Sequence, residues 1–458
     1  MMIPTMGVLL VGGAMAKRFA PLPELSSQAA FLLGDEAASG SEGEAAGMSR
    51  FLLGINYWPR RSAMYAWQRF DLGEIREDAA RIAELGLDVV RLFLTWETFQ
   101  PRADEMDAEA LRRFETVMDA IAAAGLRAMP TLFCGHMSGV NWLPEWTLDP
   151  SVPHGRFRTI SGGRTSPYGI GDFYADPRLL AAQLLFAKRA GECVREHPAL
   201  YAWDLGNEFS NLREPATPAD GAQWSLRLTE TLREVSRADV SAGMHGEDLE
   251  RDRHIRPSSI ARPWAFATMH GYPVYSAFSR GRLDTNVVPF LAALQASCSG
   301  KRVLFTELGN PACPPGTVSP YDRVPLPGEA PIGANVLPKD AAPYACLNEE
   351  EMTAYAYGAI DRLHARGALG AFWWCWADYD LALADSPPFD AAPHELRFGI
   401  VRSDDSYKPV AHALAAIARR ERAVVDPRPP PIVEETAYYA SLPRGIFDAY
   451  GEYCETHA

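Results

Sequence analysis

Tyr201-Ala-Trp-Asp-Leu-Gly-Asn207-Glu208 is an apolar run that ends in an amide and a carboxylic acid. A short run of this kind reads as a fully buried strand, and an acid at its end stands where the strand leaves the sheet. Further along, Arg302-Val-Leu-Phe-Thr-Glu307-Leu-Gly-Asn repeats the pattern. Working outward from these two, further short runs rich in β-branched and aromatic residues appear on both sides. The set predicts strands over Phe51–Tyr57, Asp88–Leu94, Arg127–Phe133, Leu200–Leu205, Val240–Met244, Ala265–Met269, Val303–Thr306 and Ala371–Trp376. Stretches of helical periodicity lie between and after them: Leu72–Leu85, Ala108–Ala124, Pro177–Glu196, Pro218–Arg237, Asn286–Ser297, Glu349–Arg366 and Pro409–Arg422. Only the polar segment Arg251–Ala261 is available for a fifth helix, so that connection is expected to be short or irregular. Repeated βα units of this order predict an α/β protein, a (β/α)8 TIM barrel with Glu208 on the fourth strand and Glu307 on the seventh.

The two longest connections, Cys134–Asp176 and Leu308–Leu347, follow the third and seventh strands and are rich in Gly and Pro. Both leave from the strand ends that carry the active site in such barrels, so they are expected to build its walls. The barrel is assigned to residues 48–425, beginning at Met48-Ser-Arg. Residues 1–47, with an Ala-, Gly-, Ser- and Glu-rich stretch at 38–47, are expected to be a disordered extension, and residues 426–458 a Pro-rich linker and tail.

Composition narrows the chemistry. A formal net charge of -14 opposes approach to a phosphate backbone or an anionic membrane, so neither nucleic acid nor membrane is an expected partner. An aromatic content of 10% suits a neutral sugar, whose C–H faces stack on rings, although most such rings are simply core. Seven cysteines without C-x-x-C pairs predict reduced, mostly buried thiols rather than a disulfide framework or a zinc site. Met1–Ala16 is an apolar run ending in Ala-Met-Ala, yet no Lys or Arg precedes it, and it is shorter than the roughly 20 residues of a membrane span. A cytoplasmic location is expected, with secretion as the alternative if this run acts as a signal peptide.

Either glutamate alone could be a structural residue closing a strand. Paired on strands four and seven, they form the arrangement retaining glycoside hydrolysis needs: one carboxylate attacks the anomeric carbon while the other protonates the leaving oxygen. From Phe51 to Ala418 the chain resembles the clan A glycoside hydrolases, and among them family 5 together with the endo-1,4-β-mannosidase-like proteins. The resemblance implies eight active-site residues. Arg91, in Val-Val-Arg-Leu-Phe-Leu-Thr-Trp, would pair with the nucleophile and keep it ionised. His136, in Phe-Cys-Gly-His-Met-Ser-Gly, would contact the sugar, and Asn207 would bond its 2-hydroxyl. Glu208 would be the acid/base, and Glu307 the nucleophile. His270 and Tyr272, in Met-His-Gly-Tyr, match a His-x-Tyr pair whose hydroxyl reaches the nucleophile. Trp374, within Phe-Trp-Trp-Cys-Trp, would end strand eight beneath the sugar, with Trp373 and Trp376 competing for that register.

The residues themselves carry part of this case. A guanidinium inside an apolar strand, as at Arg91, needs an acidic partner, whereas a lone His such as His136 is as often a satisfied structural residue. Trp142 and Trp146, in Asn-Trp-Leu-Pro-Glu-Trp, are candidate sugar platforms or loop core, with Trp142 taken as substrate-binding. The segments Phe173-Tyr-Ala-Asp176-Pro and Phe398–Lys408 read as architectural.

The implied activity is a retaining β-glycosidase, β-mannosides first, with β-glucosides or β-galactosides as alternatives and a non-catalytic carbohydrate-binding barrel as the rival of another class. Glu208 is expected to be protonated because a neighbouring negative charge raises its pKa. The mechanism calls for no metal or cofactor, and no H-E-x-x-H spacing occurs. The long loop after strand seven argues against an open endo-acting cleft, and the apparent lack of export favours exo-action on imported oligosaccharides over attack on insoluble polymer.

Overall fold

The computed structural model describes residues 50–314, 346–427 and 433–457. The expected extension 1–47, the candidate signal run, residues 315–345 of the loop after the seventh strand and residues 428–432 of the linker lie outside the described residues.

Eight parallel strands form one sheet: β1 Leu52–Asn56, β2 Val89–Thr95, β3 Arg127–Cys134, β4 Ala202–Asn207, β5 Asp239–Gly243, β6 Ala267–His270, β7 Val303–Leu308 and β8 Gly370–Trp373. Their order, β5-β4-β3-β2-β1-β8-β7-β6, runs around a ring. The gap between β5 and β6 is closed by the parallel bridge of His245 with His270 and by His270 N–H donating to Met244 O at 2.8 Å. The sheet is thus a (β/α)8 barrel, as the alternation of runs predicts.

Local chemistry sets where the helices begin. The helices are α1 Leu72–Glu84, α2 Ala108–Ala123, α3 Pro177–Cys193, α4 Pro218–Val235, α5 Pro257–Ile260, α6 Val287–Ser299, α7 Glu349–Ala365 and α8 Pro409–Ala418. Asp71 and Asp176 cap α1 and α3 with their side chains, Thr217 with Asp220 forms a capping box on α4, and Asn348 with Glu351 does so on α7. Such caps satisfy N–H groups that have no partner within the helix. The fifth connection is irregular, as its polar sequence predicts: α5 is a single turn preceded by another, Glu247–Glu250.

The lower barrel interior is filled by Leu52, Val89, Met129, Ala202, Phe266, Leu304, Leu369 and Phe372, which together plug it. The insertion after β3 folds into a small four-stranded sheet, His136–Met137, Val140–Trp142, Arg158–Ser161 and Arg164–Ser166, beside a two-stranded ribbon. Two tail helices, α9 Glu435–Ser441 and α10 Arg444–His457, pack on the barrel flank. Tyr438 and Tyr439 donate their hydroxyls to Leu249 O and Asp248 O, and Tyr450 stacks edge-on against Phe278 and Phe290. Among the described residues no helix is long and apolar enough to cross a membrane.

The expectation that every cysteine is a reduced thiol is corrected here. Cys313 and Cys346 form a disulfide, while the other five are free. The two lie 33 residues apart in sequence, at either end of the long loop. They meet because Cys313 N–H donates to Leu347 O and Leu347 N–H to Pro311 O, pinning the loop's ends side by side. Spacing along the chain does not reveal that closure.

Candidate active site

The site assembles around Arg91, wholly buried inside the barrel. Its Nε and Nη2 donate to Asp204 Oδ2 at 2.9 and 2.7 Å, Nη2 also to Asn207 Oδ1 at 2.9 Å, and Nη1 to Asn56 Oδ1 at 3.0 Å and Glu307 Oε1 at 2.5 Å. A charge so placed is tolerable because every arm of the fork is answered. Asp204 accepts from Thr131 Oγ1 as well, and Asn56 donates to Thr306 O and Trp373 O, so β1, β2, β3, β4, β7 and β8 are joined at one level. Close packing requires glycine at Gly243, where a Cβ would stand 2.7 Å from Gly206 O and 3.0 Å from Arg91 Nη2.

Above this layer stand the two glutamates. Glu307 lies within β7, its Oε2 accepting the Tyr272 hydroxyl at 2.6 Å. Burial and the Glu307 charge push the Tyr272 hydroxyl well above its ordinary range, so it serves as a donor. Glu208 follows β4 in a left-handed conformation, φ 44°, that turns its side chain into the mouth. A non-glycine residue held there carries a strain of about 1–3 kcal/mol, a cost common at functional sites. Glu208 Oε2 accepts from Asn211 Nδ2 at 2.9 Å, and Oε1 lies 3.2 Å from His270 Nδ1. His270 Nδ1 is also 3.5 Å from Glu307 Oε2, so the imidazole sits between the acids. Glu208, His270 and Glu307 each present an atom within 4.8 Å of the others, a spacing that suits a reacting sugar centre and would also admit a cation.

The expected source of the Glu208 protonation state is corrected. Burial raises its pKa, but His245, His270 and His136 more than offset this and hold the carboxyl well below the usual range. His136 is pushed down to about 4 by burial, lies 3.6 Å from Glu208 Oε2 and is held by Asn141 Oδ1 at 2.7 Å.

These groups line a cavity of about 560 Å³, within the roughly 300–1,000 Å³ range of small-molecule sites. His136, Asn207, Glu208, His270, Tyr272, Glu307 and Trp374 all face it. Of the competing tryptophans, Trp373 and Trp376 point away into the core. Trp142 is not brought to the site, contrary to expectation. Its ring packs edge-on against Tyr65 at 5.5 Å, on a strand held in register with Ile160, so it belongs to the loop core. Trp146 does likewise, against Trp96.

Several site residues were missed in the sequence. Asp204 had a signal, an acid inside the same apolar run as Glu208. Asn56, Ser138, His245, Tyr275 and Glu395 had none, since their roles depend on which loops meet. Those meetings join the loops around the cavity. Ser138 Oγ donates to Glu395 Oε2 at 3.0 Å, and Arg158 pairs with both oxygens of Asp390. Both contacts join the loop after β3 to the loop after β8, across the mouth above β2 and β1. On the other flank Arg156 pairs with Glu247, past β5, at 2.6 Å.

No protein-family model matches the chain, and no curated protein matches it. Solved structures do. An exo-β-1,4-mannosidase from Opitutaceae bacterium strain TAV5 is 26% identical with a TM-score of 0.63, over 82% of this chain and 60% of that one. The chain thus spans about three fifths of that enzyme's length. A GH5_18 protein from Streptomyces cattleya, solved with GlcNAc, is 21% identical with a TM-score of 0.68, over 89% of this chain and 92% of its own. A β-galactosidase from Marinomonas ef1 is 14% identical, TM-score 0.53, over 81% of this chain and 59% of its own. The chain thus shares the (β/α)8 fold of these glycoside hydrolases and resembles the family 5 members among them.

Proposed function

We propose that the protein is a retaining, exo-acting β-glycosidase that removes a terminal β-linked sugar, β-mannosides being the favoured class. The observation that carries this reading is the approach of one carboxyl oxygen of Glu208 to within 4.8 Å of one of Glu307, compatible with the roughly 5–5.5 Å between the carboxyl groups of retaining enzymes. Glu307, aligned by Arg91 and Tyr272, attacks the anomeric carbon as the glycosidic bond breaks, and Glu208 passes a proton to the departing oxygen. Glu208 then takes a proton from water, whose oxygen displaces Glu307 and restores the original configuration. Exo-action is supported by the loop contacts across β1 and β2, which join the cavity's walls on that side. The mannoside preference is supported by the mannosidase among the structural neighbours.

The Cys313–Cys346 bond turns the choice of compartment toward the exported alternative, since such bonds persist where thiols are not kept reduced. Alkylation of the unreduced, denatured protein should spare these two cysteines; labelling of both would return the choice to the cytoplasm.

The activity is tested with 4-nitrophenyl β-mannoside, β-glucoside and β-galactoside, following the released sugar by NMR. First appearance of the β-anomer supports the reading. First appearance of the α-anomer makes the enzyme inverting, and no release from any of the three favours the binding-only rival.

A further inference from the structure

We propose that Glu395, with Ser138, Tyr275 and His394, forms a recognition site for the hydroxyl groups of the terminal sugar, so that the enzyme takes glycosides whose non-reducing end is unsubstituted. This rests on the glycosidase reading and adds to it a residue that does no chemistry. Glu395 lies on the turn Pro393–Arg397 after β8 and lines the cavity, with a side chain only 10% exposed. A carboxyl group in that position ordinarily has a cation beside it. Among the described residues its one close basic neighbour is His394, 3.6 Å away, which burial pushes down to about 4 and so leaves neutral. Glu395 instead accepts from two hydroxyls, Ser138 Oγ at 3.0 Å and Tyr275 OH at 3.3 Å.

That arrangement is poor as structure and apt for binding. Each carboxyl oxygen can accept about two hydrogen bonds, and each has one donor, so both retain an open side in the cavity. His394 Nε2 lies 2.8 Å from the Tyr275 hydroxyl and helps hold that donor in place. Burial, with the Glu307 and Glu208 charges, pushes Glu395 up to about 7, consistent with a site that is unfavourable until filled.

Placement identifies the ligand groups. Ser138 is two residues beyond His136, which touches Glu208, and the Tyr275 ring lies 5.5 Å from that of Tyr272, which holds Glu307. The recognition wall is thus adjacent to the anomeric centre, on the side where the loops of β3 and β8 meet. A sugar whose anomeric carbon lies between the two acids turns ring hydroxyls toward this wall. A carboxylate facing two of them accepts both, and a substituent on either would break those contacts and meet the joined loops.

The test compares wild type with Glu395→Gln on 4-nitrophenyl β-mannoside and its monodeoxy analogues. Wild type should lose on the order of tenfold to a hundredfold in kcat/KM on the analogue lacking a contacted hydroxyl. Glu395→Gln should show a similar loss on the parent but little further loss on that analogue. Equal losses by Glu395→Gln on the parent and every analogue, or no loss at all, would overturn the proposal. Should Glu395→Gln fail to fold, Ser138→Ala and His394→Gln carry the same comparison with the same two outcomes. Calorimetry with methyl β-mannoside separates this from the glycosidase reading. A wild type that binds the sugar, cleaves no aryl glycoside and loses binding on Glu395→Gln overturns only the glycosidase reading. A wild type that neither binds nor cleaves overturns both.

Discussion

Arg91 divides one guanidinium among Asp204, Asn207, Asn56 and Glu307, and this division makes its replacement informative. Lysine keeps the charge but has no planar fork, so it cannot serve four acceptors at once. Arg91→Lys should lower kcat/KM by on the order of a hundredfold, a cost of roughly 3 kcal/mol, and should also lower Tm because Asp204 loses a partner in the core. Asp204→Asn separates the two effects: it should disturb stability more than the chemistry, and a variant with normal Tm and lost activity would instead place Asp204 in the reaction. His270 offers a second test. It helps hold the Glu208 carboxyl below its usual range, so His270→Asn removes a lowering influence and the Glu208 pKa rises. Glu208 then keeps its proton to higher pH, and the alkaline limb of kcat/KM should move upward while kcat falls about tenfold or more. An unmoved limb would show that His270 does not set the proton on Glu208. At this scale the sequence was readable where a residue contradicts its surroundings, as Arg91 and Glu208 do within apolar runs. It was silent for Ser138, His245 and Glu395, whose neighbours come from other loops, and misleading for Trp142, because a loop aromatic reads alike whether it faces a sugar or another ring.

At the scale of elements, the eight strands were legible because each is buried on both faces and written as a short apolar run between turn residues. Their ends were less so: β7 continues through Glu307 to Leu308, and β8 stops at Trp373. The segment after β8 depends on an ion pair that the Phe398–Lys408 stretch only hints at. Lys408 Nζ donates to Asp378 Oδ1 at 2.6 Å and to Arg397 O at 3.0 Å, with the two side chains 1% and 7% exposed. Burial pushes Asp378 up and Lys408 down, and each opposes the shift of the other. Lys408→Met should therefore cost about 3–5 kcal/mol in urea unfolding by leaving Asp378 alone in the core. Adding Asp378→Asn should recover part of that loss, since Gly399 N–H still finds an oxygen there. A loss below 1 kcal/mol would mean that the pair is dispensable.

At the scale of the whole molecule, the tail acts on the side of the barrel where the fifth connection is weakest. Tyr438 and Tyr439 hold the backbone of Leu249 and Asp248, and Asp248 in turn accepts from Ser210 Oγ and from His245 N–H beside the site. A chain ending at Pro427 should thus lose roughly 5 °C or more in Tm and part of its kcat. Unchanged values for both would make the tail a passive cover. The tail's attachment was not readable in the sequence, because aromatic residues after a Pro-rich linker do not say what they pack against, and the pairing of Cys313 with Cys346 was hidden for the same reason. The central claim, that Glu307 attacks and Glu208 serves the proton, is tested most directly by trapping the intermediate. Incubation with a deoxyfluoro β-mannoside bearing an activated leaving group, followed by peptide mass spectrometry, should find the sugar attached through an ester to Glu307. A sugar found on Glu208, or an enzyme that turns the compound over to the inverted product without any label, would contradict the account.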